Sequence, residues 1–254
     1  MEKLIINKDD NGVVWATINR LAKRNAIDYD VMNKLETLIN DVRETVDIKA
    51  IVITGAGDKA FCSGGDLSVF HQLKTKREAY EMLSKMGEIL YSLQTLPKPT
   101  VALLNGFAIG GGCELATACD FRLAKQGSKL GFIQSKLAIT TGWGGATLLN
   151  EKIPYDKALQ LLMTAKMISA EKAYEIGFVN EVLDNQDLVK QCKEFLKPIL
   201  EADVHVLSSY KQVLINKWKA HHLKERMFAE IEQCASLWAR DEHHHAVEAF
   251  LNNN

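Results

Sequence analysis

The chain has 254 residues, 47% of them hydrophobic and 25% charged, and its 31 Lys plus Arg stand against 32 Asp plus Glu for a formal net charge of −1. That composition belongs to an ordinary folded protein and excludes collagen-like, coiled-coil and disordered chains. Near-neutral charge supplies no bulk field to recruit nucleic acid or an anionic membrane, so partners must be argued from sites.

The length suits one large α/β domain or two small ones. No stretch approaches the roughly 18 to 20 apolar residues of a membrane span, and the opening residues have neither a signal-peptide apolar run nor the Arg-rich, acid-poor look of a transit peptide. A cytoplasmic protein is the expectation. Five widely spaced cysteines (Cys62, Cys113, Cys119, Cys192, Cys234) contain no C-x-x-C pair, against a disulfide framework or zinc site; small core residues are expected.

In chain order, Leu4 to Ile6 and Val13 to Ile18 alternate around a turn signal ending at Gly12 and predict a hairpin. Val31, Met32, Leu35, Leu38, Ile39, Val42 and Val46 recur at helical spacing from Asp28. The acids among Lys34 and Arg43 on that helix disfavour RNA. The β-branched run Ala50 to Thr54, closed by Gly55, predicts a strand buried on both faces of a parallel sheet. A helix over 77–96 stops before Pro97 and Pro99, and Thr100 to Leu104 is the next strand. Short strands follow at 121–124 and 130–133, then the turn Gly142-Trp143-Gly144-Gly145. Helices are expected over 146–150, 155–164, 170–176, 188–201, 204–217, 224–238 and 244–251. The pattern predicts an α/β fold, one continuous domain of parallel-sheet core over 1–195 and helical region over 196–254.

Two glycine clusters carry the chemistry. Gly55, Gly57 and Ala60 formally fit the dinucleotide fingerprint G-x-G-x-x-A, but the fit needs a helix opening there. Gly64-Gly65 opposes one, since glycine costs about 1 kcal/mol each in a helix interior. The second cluster, Gly110-Gly111-Gly112, follows a strand and runs into the helical pattern from Glu114 to Ala118. Free N–H groups and the macrodipole at a helix start can hold a developing oxyanion; close packing of the helix is the other use of three glycines. Glu114 stands a turn beyond Gly111 on the same helix face, amid apolar Cys113, Leu115 and Ala116. A carboxyl group so placed has a raised pKa suited to proton transfer.

These residues resemble the enoyl-CoA hydratase/isomerase family, the crotonase superfamily, over nearly the whole chain. The resemblance is carried by Arg24-Asn25-Ala26-Ile27, by Ala60 to Leu67 and by Asn105 to Leu115, with a further likeness at Ile168 to Ala173 and Ile176 to Val182. It implies a crotonase-like spiral of ββα units with a C-terminal helical trimerisation region, as a homotrimer or a dimer of trimers. It also implies an acyl-CoA thioester substrate, with coenzyme A as part of that substrate and no separate cofactor or metal. The Gly65 and Gly111 N–H groups would face one thioester oxygen, with Glu114 as the proton-transfer group. Arg24, Ala26, Ser63, Asp66 and Leu67 would make further substrate or CoA contacts.

Aligned on Gly142 to Gly145, the position of a second glutamate in the hydratases holds Gln134, beside Lys136. An amide has no proton to exchange near neutral pH, so Gln134 is expected to orient a water or substrate group instead. Ala118 to Leu123, Ser128-Lys129 and Trp143-Gly144-Gly145 are similar to members that decarboxylate ethylmalonyl- or methylmalonyl-CoA, a reaction that needs an oxyanion site but no base to abstract a C–H proton. A CoA-binding scaffold with decayed catalysis is an alternative of another class. The final Asn252-Asn253-Asn254 replaces a basic tail seen in many relatives, which leaves Arg24, Lys23 and Lys59 as candidates for the phosphates. Asp66 also reads as a helix cap, Cys62 and Cys113 as core, and His243-His244-His245 as solvated surface.

Overall fold

The computed structural model describes residues 2–252; Asn253 and Asn254, which end the asparagine run, lie outside them. Strands β1 (Leu4–Lys8) and β2 (Val13–Ile18) form the expected antiparallel hairpin. Helix α1 (Tyr29–Glu44) starts where Asp28 accepts a hydrogen bond from the Val31 N–H at 3.0 Å, satisfying one of the open donors of the first turn. It buries Val31, Met32, Leu35, Leu38, Ile39 and Val42 of the stripe read from the sequence, whereas Val46, the last of that stripe, lies past the helix end at Glu44 and is 76% exposed.

A unit then repeats along the chain. First come β3 (Ala50–Gly55), β4 (Ala60–Cys62), α2 (Leu67–Phe70) and α3 (Lys76–Gln94). Next are β5 (Thr100–Leu104), β6 (Phe107–Ile109) and α4 (Gly111–Ala118). The third pass has β7 (Phe121–Lys125), β8 (Lys129–Gly131), a 3-10 turn over Gln134–Leu137, α5 (Gly145–Asn150) and α6 (Tyr155–Thr164). After β9 (Ile168–Ser169) and α7 (Ala170–Glu175), β10 (Glu181–Leu183) closes the core. The first strand of each unit enters a six-stranded sheet ordered β1-β2-β3-β5-β7-β10, and the second enters a four-stranded sheet ordered β4-β6-β8-β9. Each turn of the chain thus adds one strand to each sheet, which is the expected spiral of ββα units. Strands β3 and β5 are buried almost throughout, as a parallel sheet covered on both faces requires.

Strands β4 and β6 were hidden inside the two glycine clusters. At three residues each they are too short to show an alternating pattern. One hydrophobic core fills the space among the sheets and α1, α3, α4 and α10 (Leu223–Trp238). A second lies on the other face of the large sheet, where Cys192 and Leu196 of α8 (Leu188–Leu200) meet Val13, Trp15, Val52, Val101 and Leu103. Helix α8 crosses position 195 unbroken, joining the core to α9 (Val204–Ala220), α10 and α11 (Asp241–Asn252). Among the described residues no helix is long and apolar enough to cross a membrane.

Candidate active site

Parallel strands β4 and β6 end at the same edge of the small sheet, and Cys62 pairs with Ala108. Three residues beyond each partner lie Gly65 and Gly111, so the ladder itself carries the two glycines to one place. Each is preceded by a glycine in the left-handed region, Gly64 at φ +95° and Gly110 at φ +55°, which turns the chain sharply as it leaves its strand. The turns are close-packed: a methyl group built on Gly64 would stand 3.1 Å from the Gly111 nitrogen. Neither the Gly65 nor the Gly111 N–H donates to any acceptor among the described residues. Gly112 has the packing role instead, since a methyl there would overlap the Cys62 carbonyl.

The Arg24 to Ile27 segment lies beside the first cluster. Ile27 N–H donates to Gly64 O at 2.8 Å, Asp66 N–H to Ile27 O at 2.8 Å, and Ser63 N–H to Arg24 O at 3.2 Å. Arg24, Ala26, Ser63, Gly65, Asp66, Leu67 and Gly111 are therefore neighbours, although Arg24 is exposed and Ala26 buried. Two buried asparagines tie these segments together. Asn25 Nδ2 donates to Ala60 O at 2.7 Å, and Asn105 Nδ2 to Gly55 O at 2.8 Å and Gly57 O at 2.7 Å. The Asp66 carboxylate caps α2 through Ser68 and pairs with Arg20 at 2.7 Å, the capping role read from the sequence. Arg20 also donates to Ala26 O at 2.6 Å and was not anticipated. Gly55 to Ala60 spans a strand end, a bend and a strand start, with no helix to receive a dinucleotide.

Glu114, 2% exposed in the first turn of α4, faces the loop before α5. Its Oε1 accepts from Gln134 Nε2 at 2.8 Å and the Gly142 N–H at 3.3 Å; its Oε2 accepts from the N–H groups of Trp143 at 2.8 Å and Gly145 at 2.9 Å. Burial, with the nearby Glu230 carboxylate adding to it, pushes the Glu114 pKa up from 4.5 to about 7 against the pull of those donors. Glycine is needed at 145 because a methyl there would overlap the Glu114 side chain. Glu230 of α10 holds the back of the same loop, accepting from Thr141 Oγ1 and from the N–H groups of Ala146 at 3.0 Å and Thr147 at 2.7 Å. A carboxylate so far along the chain left no local sign of this role.

Gln134 opens the 3-10 turn beside Glu114. With Nε2 on Glu114, its buried Oε1 has no partner among the described residues. Lys136, Lys23 and Lys59 are exposed, and Lys23 reaches Ser68 Oγ at 3.2 Å. Cys62 and Cys113 are buried thiols whose pKa burial raises, to about 12 for Cys62, which fits core residues and not nucleophiles. One reading is corrected. His243 is 1% exposed, not solvated surface: its ring stacks on Trp238 at 4.4 Å and Nδ1 bonds Leu137 O at 2.7 Å, docking α11 on the turn that carries Gln134. The indole of Trp238, itself fixed on Leu73 O, provides the apolar seat that adjacent-residue geometry could not reveal.

A family model described as enoyl-CoA hydratase/isomerase matches residues 8–254. The short-chain-enoyl-CoA hydratase of Clostridium acetobutylicum is 30% identical over 248 residues, 97% of this chain and 94% of its own length. The ethylmalonyl-CoA decarboxylase of Xenopus laevis is 32% identical over 235 residues, 92% of this chain and 78% of its own. Among solved structures, an enoyl-CoA hydratase from Bacillus halodurans matches with a TM-score of 0.89 at 25% identity, covering 98% of this chain and 100% of that one. An enoyl-CoA hydratase/isomerase from Xanthobacter autotrophicus Py2, at 22% identity and a TM-score of 0.91 over 99% of this chain and 94% of that one, shares the fold.

Proposed function

The chain belongs to the enoyl-CoA hydratase/isomerase family, and from that premise we propose that it binds an acyl-CoA thioester, holds the thioester oxygen on the Gly65 and Gly111 N–H groups, and moves a proton with Glu114. The observation that carries this reading is the convergence of two open main-chain donors, three residues past paired strand positions, beside a carboxyl group whose pKa is raised to about 7. As a thioester becomes an enolate, charge gathers on its oxygen; two preorganised donors in a dry site supply several kcal/mol toward that transition state. A carboxyl group that titrates near neutral pH exchanges protons efficiently in either direction. Ala26, Ser63, Asp66 and Leu67 flank the approach to Gly65, and Arg24, Lys23 and Lys59 are the cations for the CoA phosphates.

A second reading is decarboxylation of a malonyl-type thioester, and Gln134 favours it. The site has one carboxylate where two-carboxylate hydration needs two, and the amide leaves a substrate carboxylate unrepelled. Cleavage of the C–CO2 bond would leave its electron pair on an enolate held by Gly65 and Gly111. Protonated Glu114 would then give its proton to the carbon while CO2 departs.

We also propose a homotrimer or dimer of trimers. Apolar side chains stand exposed along α6 (Tyr155 72%, Met163 74%) and α9 (Tyr210 73%, Val213 66%), faces that further copies of the chain would cover; light scattering should then return three or six chains. Five free cysteines fit a reducing, cytoplasmic setting.

The test follows crotonyl-CoA hydration and ethylmalonyl- or methylmalonyl-CoA decarboxylation side by side in wild type, Glu114→Gln and Gln134→Glu. Turnover that collapses in Glu114→Gln supports the proposal, whereas thioester binding without turnover leaves only the scaffold. Wild-type decarboxylation, with hydration appearing in Gln134→Glu, would select the second reading.

A further inference from the structure

Trp143 touches each part of the site, although no expected role included it. Its N–H donates to Glu114 Oε2 at 2.8 Å. Its six-membered ring lies against both amide-bearing glycines: a methyl built on Gly111 would overlap Cζ3 and Cη2, and one on Gly65 would stand 3.5 Å from Cζ2. The indole therefore stands across the space beside the two N–H groups, and it is 4% exposed. Phe70 closes the Gly65 side, 3.2 Å from the same built methyl.

The backbone that carries the ring has little room to move. Of the glycines flanking it, Gly142 abuts Leu83, 2.7 Å from a built methyl, and Gly144 abuts Met227 at 2.8 Å; both neighbours are buried core side chains. The same loop is tied down by five N–H groups, those of Gly142, Trp143 and Gly145 on Glu114 and those of Ala146 and Thr147 on Glu230. A buried aromatic ring anchored through its backbone is a rigid wall, unlike a flexible methionine.

We propose that the Trp143 indole sets acyl-chain length and confines this site to short acyl groups on coenzyme A. The inference rests on the reading that Gly65 and Gly111 hold the thioester oxygen. With that oxygen about 2.9 Å from each nitrogen, the acyl carbons must pass beside the same glycines, and the indole edge is what occupies that space. A longer chain meets the atoms of this buried ring.

The test measures binding of saturated four-, eight- and twelve-carbon acyl-CoA thioesters by calorimetry, alongside turnover of the matching substrates, in wild type, Trp143→Ala and Trp143→Phe. Wild type should bind the four-carbon thioester at least about tenfold tighter than the twelve-carbon one, the scale on which an apolar pocket discriminates by size. Trp143→Ala should erase or invert that ratio, and Trp143→Phe, which keeps an aromatic packed on Gly111, should fall between. The proposal is overturned by a flat profile in wild type, by an unchanged ratio in both variants, or by equal loss at every length, which would make Trp143 a structural prop. Failure of wild type to bind any thioester would instead overturn the reading of the site beneath it.

Discussion

The two ends of α4 hold polar groups in opposite states. At its far end Asp120 accepts from the Thr100 N–H and hydroxyl, each at 3.0 Å, and pairs with Lys211. Arg122, 3% exposed, donates to the carbonyls of Phe178, Cys119 and Asp120 and to Asn180 Oδ1. At its near end the Gly65 and Gly111 N–H groups and Gln134 Oε1 have no partner among the described residues. An unsatisfied buried polar group costs about 1–3 kcal/mol, so one helix ends in structure at one terminus and in open valences at the other. Openness alone does not make a site: among the described residues buried Gln94 also has neither amide atom bonded. What separates the near end is the buried Glu114 carboxyl group in the same turn of helix as Gly111, hydrogen-bonded to Gln134 Nε2.

The sharpest way to break this contrast is at Glu114. Glu114→Gln should lower turnover about a thousandfold, within the range for a lost acid–base group, while thioester affinity holds; steady-state kinetics with a binding isotherm checks both. At the other end, Lys211→Met removes the ion pair and leaves the Asp120 carboxylate to Thr100, which should cost about 1–3 kcal/mol of stability. Urea unfolding measures that loss, and turnover per folded molecule should not change.

The raised pKa of Glu114 separates the ends by pH. The folded chain keeps a proton there that the unfolded chain releases above pH 4.5, so this group's contribution to stability is complete below pH 4.5 and is lost as pH rises toward about 7. Glu230, also pushed up by burial, acts in the same direction. A pH series of unfolding midpoints should slope downward over that window, less so in Glu114→Gln, and the turnover profile should bend near pH 7 only when Glu114 is present. The smallest effect is expected at His243. His243→Ala removes the bond to Leu137 O and should lower turnover several-fold through the Gln134 turn while costing about 1 kcal/mol; restoration of turnover by His243→Gln, which keeps a donor, would show that the bond positions Gln134.

Much of the fold was readable from local pattern. The stripe of α1 and the β-branched run of β3 each declare their partners through neighbours a few residues away, and the structure differs from those expectations mainly at element ends. Glu114 and the glycines before it stood out by the same means, because a carboxylate within an apolar helix and adjacent glycines after a strand are unusual on their face, whereas the role expected of Gly65 came from the family resemblance. Strands β4 and β6 were missed because three residues carry no period. His243 was misread because its burial depends on Trp238 and Leu137, and Glu230 and Trp143 went unassigned because each acts across the fold.

The sequence by itself determined which segments turn, which bury a face, and that a carboxylate sits one turn into a glycine-led helix, since those properties depend on spacing along a single backbone. Only the tertiary structure decided that Cys62 pairs with Ala108, bringing Gly65 beside Gly111, and that Gln134 and three loop N–H groups surround Glu114. Strand register and the meeting of distant loops are set by the packing of the whole core, which no short window of residues contains.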